Sequence, residues 1–526
     1  MDGADGVVSG SPLRDKRFAT LWTCVAAAFL AQWTIPVAAQ WFLVSWPGGD
    51  HLVPYVLVAL TFPTALLAIP AGVMADRMDR RRLVICVQIG VLLVEVMLVS
   101  LAMTGNLRPW PLLGLVALLS CGLAATLTSL SSMLPDLVRT QQIPAASALL
   151  VVATNSTRVI GPVLGGAILA VASTGVAFAA ALPATVLLLV VLSRMPAMPP
   201  SEEAHERWLA AAWSGIRFMK HSPAAVKMLA RGLWFSLGIM GLLSLLPLLT
   251  AGLGATSAQL GLVLAMQGLG AVAGAVALPR IGKVAQPNRI IWSGFLAGAA
   301  AMGLAAVAQN LIVLGGATLL AGLAWTVVLA TVQGGMQMYL PAWVRARGLA
   351  VLLVANFAGQ AIGAAALGWI AGATNLRWAL LVAAFVLVAG AIFGYRWPMR
   401  DLAHLDRSAV GPWIGPEIAL AGAERTRQLL VRIQYDIRDD ASDEFTIAMA
   451  KVRRIRLRTG GRHWRLSEAA GLPGRYYEDF VVASWDDHRQ QMGRLVASDR
   501  EIEEHIWSMA ESPPVTHYAL RVDVSS

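Results

Sequence analysis

The chain alternates long apolar stretches with short polar segments over roughly its first three quarters. Each stretch is long enough to cross a bilayer as a helix, which takes about 20 residues. The predicted spans lie at 18–46, 53–75, 83–103, 111–133, 144–171, 176–195, 228–249, 260–278, 290–307, 311–340, 349–373 and 378–397. Because charged loops stay in water while apolar helices enter lipid, the pattern predicts a polytopic membrane protein with 12 spans.

Composition agrees with a protein whose main partner is a lipid bilayer. Hydrophobic residues make up 57% of the chain and charged residues 14%, against about 25% charged residues in soluble domains. A formal net charge of +10 would suit a nucleic-acid binder, but these charges alternate with apolar spans and form no single patch. We therefore expect no nucleic-acid partner. Cys24, Cys86 and Cys121 fall in apolar segments and are expected to be small core residues, so no metal or other cofactor is predicted.

Basic residues are concentrated in alternate loops. One set holds Arg14, Lys16, Arg17, Arg77, Arg80, Arg81, Arg82, Arg139, Arg194, Arg207, Arg217, Lys220, Lys227, Arg280, Lys283, Arg289, Arg345 and Arg347. The opposite loops hold Arg108 and Arg377. Because basic loops stay on the cytoplasmic side, the bias predicts that both termini are cytoplasmic.

Two similar segments suggest an internal repeat. Segment 134–139 (Leu-Pro-Asp-Leu-Val-Arg) follows the fourth span, and segment 340–345 (Leu-Pro-Ala-Trp-Val-Arg) follows the tenth. The same offset of about 206 residues links the charged segment 72–82 to a weaker copy at 279–283. Two parallel six-span halves are therefore expected, with a central site between halves that rock about it.

These patterns divide the chain into five segments. They are an N-terminal six-helix half at 1–195, a linker at 196–227, a C-terminal six-helix half at 228–400, a second linker at 401–424 and a polar C-terminal domain at 425–526. The first linker is expected to form an amphipathic surface helix, with a plain tether as the alternative.

The C-terminal domain is predicted to be a separate α+β unit. Its elements follow in the order strand, helix, strand, strand, helix and strand, at 428–437, 442–458, 462–467, 476–484, 485–509 and 515–524. This order is typical of a ferredoxin-like fold. The histidines of the domain are too scattered to nominate metal ligands, so a pairing or regulatory role, including dimerisation, is favoured over catalysis.

The charged segment between the second and third spans resembles a motif of the major facilitator superfamily. The matching residues are Gly72, Asp76, Arg77, Arg80 and Arg81, while Asp79 stands where the family usually has glycine. The resemblance implies a conformational latch, in which Asp76 accepts bonds at a neighbouring helix N-terminus and pairs with an arginine. The alternative is a charge cluster that only sets topology.

A second motif lies in the fifth span, at 157–166 (Thr-Arg-Val-Ile-Gly-Pro-Val-Leu-Gly-Gly). Arg158, Gly161, Pro162, Gly165 and Gly166 resemble the motif that marks exporters in this superfamily, with threonine at 157 where the family has glycine. Proline bends a helix and glycines permit tight packing. The alternative is ordinary small-residue packing.

Glu95 and Arg158 are ionisable residues deep within predicted spans. Facing lipid would cost each about 2.5–3.5 kcal/mol or more, so each should face the interior or a partner. Arg158 is a candidate to bind an anionic substrate or hold a counter-charge. Glu95 is a candidate to carry a coupling proton, because burial favours the neutral form of a carboxyl group. The alternative is a fixed structural pair.

Uncharged polar residues supply the remaining candidates for a binding pocket. These are Gln32, Gln40, Asn155, Gln267, Gln333, Gln337, Asn356 and Gln360, with Trp33, Trp41 and Trp325 as aromatic walls. Of these, Gln32, Asn155, Gln333 and Asn356 are the preferred substrate or proton candidates. An apolar pocket with few polar groups suits an amphipathic small molecule.

Pieces of the tail at 431–435, 464–466, 478–484 and 485–488 resemble the monooxygenase-like tail of one exporter family. That family is the bacterial transmembrane secretion effectors, which include the enterobactin exporter. The resemblance implies the major facilitator fold in a multi-pass protein of the bacterial cytoplasmic membrane. It also implies a non-enzymatic exporter of amphipathic small molecules, driven by proton antiport. The alternatives are a proton-coupled importer and a membrane-tethered enzyme whose tail is catalytic.

Overall fold

The computed structural model describes residues 12–197, 208–398 and 427–521. The predicted linker 401–424 and the first part of the linker 196–227 lie outside these ranges. Helices of the first half are α1 (Lys16–Gln32), α2 (Thr34–Ser45), α3 (Tyr55–Arg77), α4 (Arg80–Met103), α5 (Pro109–Leu137), α6 (Ile143–Val171), α7 (Thr174–Ala179) and α8 (Leu182–Ser193). After α9 (Trp208–Lys220) come α10 (Pro223–Gly252), α11 (Ser257–Val284), α12 (Pro287–Ala306), α13 (Leu311–Tyr339), α14 (Ala342–Ala373) and α15 (Leu376–Arg396).

The described residues contain 12 helical segments long and apolar enough to cross a membrane, which confirms the predicted count. Two predicted continuous spans are each broken into two helices. The first breaks at Trp33, between α1 and α2, because Pro36 has no N–H to donate to the carbonyl four residues earlier. The sixth breaks between α7 and α8, where Pro183 has the same effect on the end of α7.

The charged segment between the second and third spans is mostly helical, so the interval left between the predicted spans, 76–82, is longer than the actual connection. Helix α3 continues through Asp76 to Arg77, and α4 begins at Arg80. Only Met78 and Asp79 connect them. Asp79 caps α4, since its side chain accepts a hydrogen bond from the backbone N–H of Arg82 at 3.0 Å.

The chain divides into two compact units. The first comprises Met1–Glu206, Leu229–Val332 and Leu352–Pro398. Within it α3 packs on α5, α12 on α15, and α6 on both α1 and α11. The second unit comprises Arg207–Met228, Gln333–Val351 and Met399–Ser526. It contains α9, which forms the helix expected in the first linker.

The C-terminal domain has the predicted order of elements. Its strands are β1 (Leu429–Asp436), β2 (Arg462–Glu468), β3 (Arg475–Val482) and β4 (Val515–Leu520), and its helices are α16 (Ser442–Thr459), α17 (Trp485–Gly493) and α18 (Ala497–Trp507). The strands form one antiparallel sheet in the order β2-β3-β1-β4, as a ferredoxin-like fold requires. The helix predicted at 485–509 is two helices, because the chain turns at Arg494 and becomes extended at Val496 before α18 begins.

The core of this domain surrounds a network of buried charges. Arg456 donates to Glu478 at 3.0 Å and to Glu503 at 2.6 Å. Glu478 also accepts hydrogen bonds from the Tyr435 hydroxyl and the Trp464 indole, each at 2.9 Å. Burial alone would lower the pKa of Arg456, but the two carboxylates more than offset it and raise that pKa. The charges are thus fully paired, as buried charges must be.

Candidate functional site

The glycines of the fifth span let α6 approach the break in the first span. A Cβ at Gly161 would lie 2.4 Å from the Cβ of Trp33, and one at Gly165 would lie 3.1 Å from the carbonyl oxygen of Thr34. Both distances are shorter than ordinary contacts between side chains. Pro162 lies inside the same helix. Glycine is therefore required at Gly161 to bring α6 against the α1–α2 junction.

Arg158 faces this junction. Its guanidinium carbon lies 5.0 Å from the centroid of the Trp33 ring, which is within the range of a cation–π interaction. The prediction that Arg158 faces the protein interior or a partner is consistent with this contact. The stacked pair places a cation and an aromatic surface near the middle of the first and fifth spans.

Trp33 also lines a cleft inside the first half. The cleft is narrow, with a cavity volume of about 20 Å³, and is lined by Gln32, Trp33, Ile35, Pro36, Leu60, Val116, Leu119, Ser120 and Leu123. The Ser120 hydroxyl is already bonded to the carbonyls of Ala59 and Ala117, and the other polar groups of this lining are the Gln32 amide and the Trp33 indole N–H. This volume holds about one water molecule, so in this conformation the cleft marks an apolar surface with few polar groups that would have to widen to admit a ligand.

Glu95 contacts a different helix. It is 1% exposed on α4, and its Oε1 accepts a hydrogen bond of 3.1 Å from the hydroxyl of Thr185 on α8. Its other oxygen, Oε2, is buried with no hydrogen-bond partner. In the part of the chain that the structure describes, Glu95 and Arg158 therefore do not form the structural pair considered as an alternative.

The arginines of the charged motif join three helices of the first half. Arg80 donates to Asp136 near the end of α5 at 2.9 Å. Arg81 donates to the carbonyls of Leu192 and Ser193 at the end of α8, at 2.7 and 2.6 Å. Cations at a helix C-terminus satisfy its free carbonyls. The side chains of Asp76 and Arg77 and the surroundings of Gly72 lie outside the described part of the structure, so the latch itself stays a prediction.

The two halves meet where α6 passes α11. A Cβ at Gly166 would lie 2.4 Å from the Cα of Gly261, so the two backbones are in direct contact. The Ser257 hydroxyl of α11 donates to the carbonyl of Leu169 at 3.0 Å. This contact lies at what we call the distal end of the bundle, which is the side on which the C-termini of α6 and α14 lie.

A second contact between the halves lies at the same distal end. A Cβ at Gly368 of α14 would lie 2.6 Å from Pro54, the residue that precedes α3. Leu57, Met240 and Ala364 form a buried cluster beside it. The distal ends of the second, seventh and eleventh spans are thus packed together without a gap at these residues.

The other predicted pocket residues are dispersed. Gln32 lines the cleft, whereas Gln333 is exposed on α13. The Asn356 Oδ1 is buried without a hydrogen-bond partner, and a Cβ at Gly232 would lie 2.5 Å from it. The side chain of Asn155 lies outside the described ones. The described residues hold no group of three or more His, Cys, Asp or Glu side chains placed to bind a metal ion.

Several partners were missed by reasoning from the sequence, namely Asp136, Thr185 and Gly261. Asp136 could have been identified from the sequence, because the matching position of the internal repeat is Ala342. The acidic residue therefore occurs in the first half and not in the second. Nothing in the sequence distinguishes Thr185 and Gly261 as partners, since small and hydroxyl residues are common in all spans.

The sequence matches the family described as "Transmembrane secretion effector" over residues 8–525. Among curated proteins, the enterobactin exporter EntS of Escherichia coli O139:H28 is 29% identical over 307 residues, covering 56% of this chain and 71% of the relative. EntS of Escherichia fergusonii matches with the same values. The expected family resemblance is confirmed by these matches.

Solved transporters share the fold of the membrane part. An inward-facing, unoccupied bacterial homologue of the human lysosomal transporter Spinster superposes with a TM-score of 0.61 at 15% identity, covering 74% of this chain and 97% of that one. The nucleoside transporter NupG superposes with a TM-score of 0.61 at 10% identity, covering 73% of this chain and 99% of its own. At these identities the likeness concerns the fold.

Proposed function

Because the chain belongs to the transmembrane secretion effector family of major facilitator transporters, we propose that it exports small amphipathic molecules. The chain is a multi-pass membrane transporter and not an enzyme, as expected from its sequence. The finer proposal is that a drug, a siderophore or another natural product leaves the cell in exchange for protons. The membrane concerned would be the bacterial cytoplasmic membrane, with both termini inside.

The observation that carries the proposal is that two glycines of α6 permit two different close contacts. Gly161 brings α6 against Trp33 and the cleft of the first half, while Gly166 brings the same helix against Gly261 of the second half. One helix thus connects the lining of the cleft in the first half to a contact between the halves. A transporter needs such a connection, because occupancy of the site must change how the halves pack.

Arg158 and Trp33 are proposed to bind the polar or aromatic part of the substrate. The indole of Trp33 lines the cleft and has the Arg158 guanidinium over its ring at 5.0 Å, so a substrate that widened the cleft and displaced the indole would meet a cation. The apolar residues beside them, such as Leu60 and Val116, would take the apolar part. This division explains why an amphipathic substrate is favoured over a sugar, which needs many polar contacts.

Glu95 is proposed to carry the exchanged proton. One oxygen is bonded to Thr185 and the other has no partner, so protonation would add a donor without breaking the existing bond. A carboxylate buried in this way costs less when it is neutral. Dimerisation through the C-terminal domain also stays a prediction.

The test is accumulation in cells of a strain that lacks its own enterobactin exporter. Cells expressing the chain should retain less enterobactin than cells with an empty vector. A protonophore should remove the difference. Arg158→Ala should abolish efflux at an equal membrane level, whereas Arg108→Ala, in a loop, should not. Wild-type efflux by Arg158→Ala would remove Arg158 from the proposed site.

A further inference from the structure

The start of α14 is held by the C-terminal domain. The indole N–H of Trp343 donates to the backbone oxygen of Arg494 at 3.2 Å. The guanidinium of the same arginine lies over the indole, 4.9 Å from its centroid. One residue of the domain therefore binds both the polar edge and the face of this ring.

The linker helix α9 adds a second ring to the contact. Phe218 is 1% exposed, and its ring lies edge-on to Trp343 at 5.6 Å and near Tyr339 at 6.4 Å. The guanidinium carbon of Arg458, at the end of α16, is 5.7 Å from the centroid of Phe218. Two arginines of the C-terminal domain thus cover two rings, one from α9 and one from α14.

A polar contact also joins α9 directly to α14. Arg347 donates to the hydroxyl of Ser214 at 2.9 Å. A Cβ at Gly215 would lie 2.8 Å from the Cβ of Arg347, so glycine is needed for this approach. Helix α9 is consequently packed against the first turns of α14 and is more than a tether.

The covering arginines are fixed by the domain itself. Arg494 donates to the carbonyl of Thr459 at 2.9 Å and to Gln490 at 3.1 Å. Arg458 is paired with the buried carboxylate of Asp499. Side chains already restrained in this way lose little further freedom when they cover a ring, so most of the contact energy is retained.

We propose that Phe218, Trp343, Arg458 and Arg494 form a clamp by which the C-terminal domain favours the conformation closed at the distal end. The inference rests on the proposed transport by alternating access. Trp343 lies in the first turn of α14, and Gly368, which contacts Pro54 at the distal end, lies on the same continuous helix. A contact present in one conformation and lost in the other shifts the equilibrium between them.

The test measures how often the distal end opens. Leu57, buried in the cluster with Met240 and Ala364, is replaced by cysteine in a full-length chain whose Cys24, Cys86 and Cys121 are alanine. The rate of labelling by a maleimide is then measured on purified protein in lipid nanodiscs. Arg494→Ala should raise the rate about twofold to fivefold, the value of one cation–π contact. Trp343→Ala should raise it about tenfold, because both ring contacts are lost.

Matched controls decide the outcome. Arg489→Ala removes an exposed arginine of α17 that pairs with Asp486, and should leave the rate unchanged. Trp343→Phe keeps a ring but loses the indole hydrogen bond, so its rate should lie between those of the parent and Trp343→Ala, which separates the clamp from general misfolding. Gly166→Ala acts directly on the distal contact and should raise the rate whether or not a clamp exists.

Two results would overturn the clamp. The clamp is refuted if Arg494→Ala and Trp343→Ala label as slowly as the control Arg489→Ala while Gly166→Ala still labels fast. That result would leave alternating access intact. Slow labelling in all variants, Gly166→Ala included, would refute the clamp together with the two-state exchange on which the proposed function depends.

Discussion

Gly166→Ala is expected to weaken the closure of the distal end. In the structure an added Cβ would lie 2.4 Å from the Cα and 2.9 Å from the backbone nitrogen of Gly261. Ordinary contacts begin at 3.4 Å, so α6 and α11 would have to separate by about 1 Å at this point. Backbone atoms cannot rotate away as the end of a flexible side chain can.

The magnitude follows from the cost of overpacking, which is about 1–3 kcal/mol for a well-packed site. Under the proposed alternating access, this cost falls on the closed conformation, in which Gly166 and Gly261 touch. The ratio of open to closed molecules should therefore rise by about 5-fold to 150-fold. Export should slow, since a transporter that stays open at the distal end does not return to bind substrate.

Two measurements check this prediction, namely labelling of a cysteine at Leu57 and efflux of enterobactin from proteoliposomes. Gly303→Ala is the matched control, because no atom lies within 4 Å of its added Cβ. Gly165→Ala meets Thr34 of the same half at 3.1 Å and should affect stability more than labelling. The reasoning is refuted if Gly166→Ala and Gly303→Ala label and transport alike.

Three further changes act on other parts of the chain. Arg456→Met should destabilise the C-terminal domain by about 3–5 kcal/mol, because it leaves Glu478 and Glu503 buried without their partner, and calorimetry of the full chain measures this. Burial lowers the pKa of His488 from 6.5 to about 4, so its contribution to stability is complete above pH 6.5 and should be lost as the pH falls from 6.5 towards 4, by about 3 kcal/mol. Arg80→Ala should lower the free energy of unfolding of the membrane part by about 1 kcal/mol. The loss is small because Asp136, the partner in its ion pair, is exposed and stays hydrated.

Each of these has its own control. Arg454→Met, on the exposed face of α16, should be neutral, and an equal loss there would contradict the role of the buried network. His488→Gln should flatten the pH dependence of the calorimetric midpoint between pH 7 and 5, and an unchanged slope would contradict the assignment to His488. Arg82→Ala, with its side chain 77% exposed, is the control for Arg80→Ala.

The sequence predicted the membrane part well because its signal is repeated. Apolar length and loop charge recur in every span, so the number of spans and their order did not depend on any single residue. The breaks at Trp33 and before Pro183 were missed, although prolines mark both. In a span, neighbouring helices can satisfy the freed carbonyls, so a proline alone does not show whether a helix bends or stops.

The charged motif shows where a pattern of residue types is insufficient. Charges at 76–82 suggested a loop, yet α3 and α4 are separated by two residues, Met78 and Asp79. Arginine is a good helix former, and Arg80 and Arg81 find partners at the ends of α5 and α8. Those partners are distant in the sequence, so only the packing of helices reveals them.

The candidate site residues stay a prediction, and the structure adds their neighbours. Arg158 and the glycines of α6 were recognised, but their targets differ, since Gly161 faces Trp33 and Gly166 faces Gly261 of the other half. Spacing along a helix tells which residues share a face, and not which helix lies opposite. The clamp was not predicted at all, because it joins rings and arginines from three separate segments.

The most direct test of the account is the movement of enterobactin in proteoliposomes that contain the purified chain. An imposed proton gradient should drive enterobactin transport against the direction of proton flow, and Glu95→Gln should abolish the effect of the gradient while leaving exchange at equilibrium. Transport that is identical with and without the gradient, in the parent and in Glu95→Gln, would contradict proton antiport through Glu95.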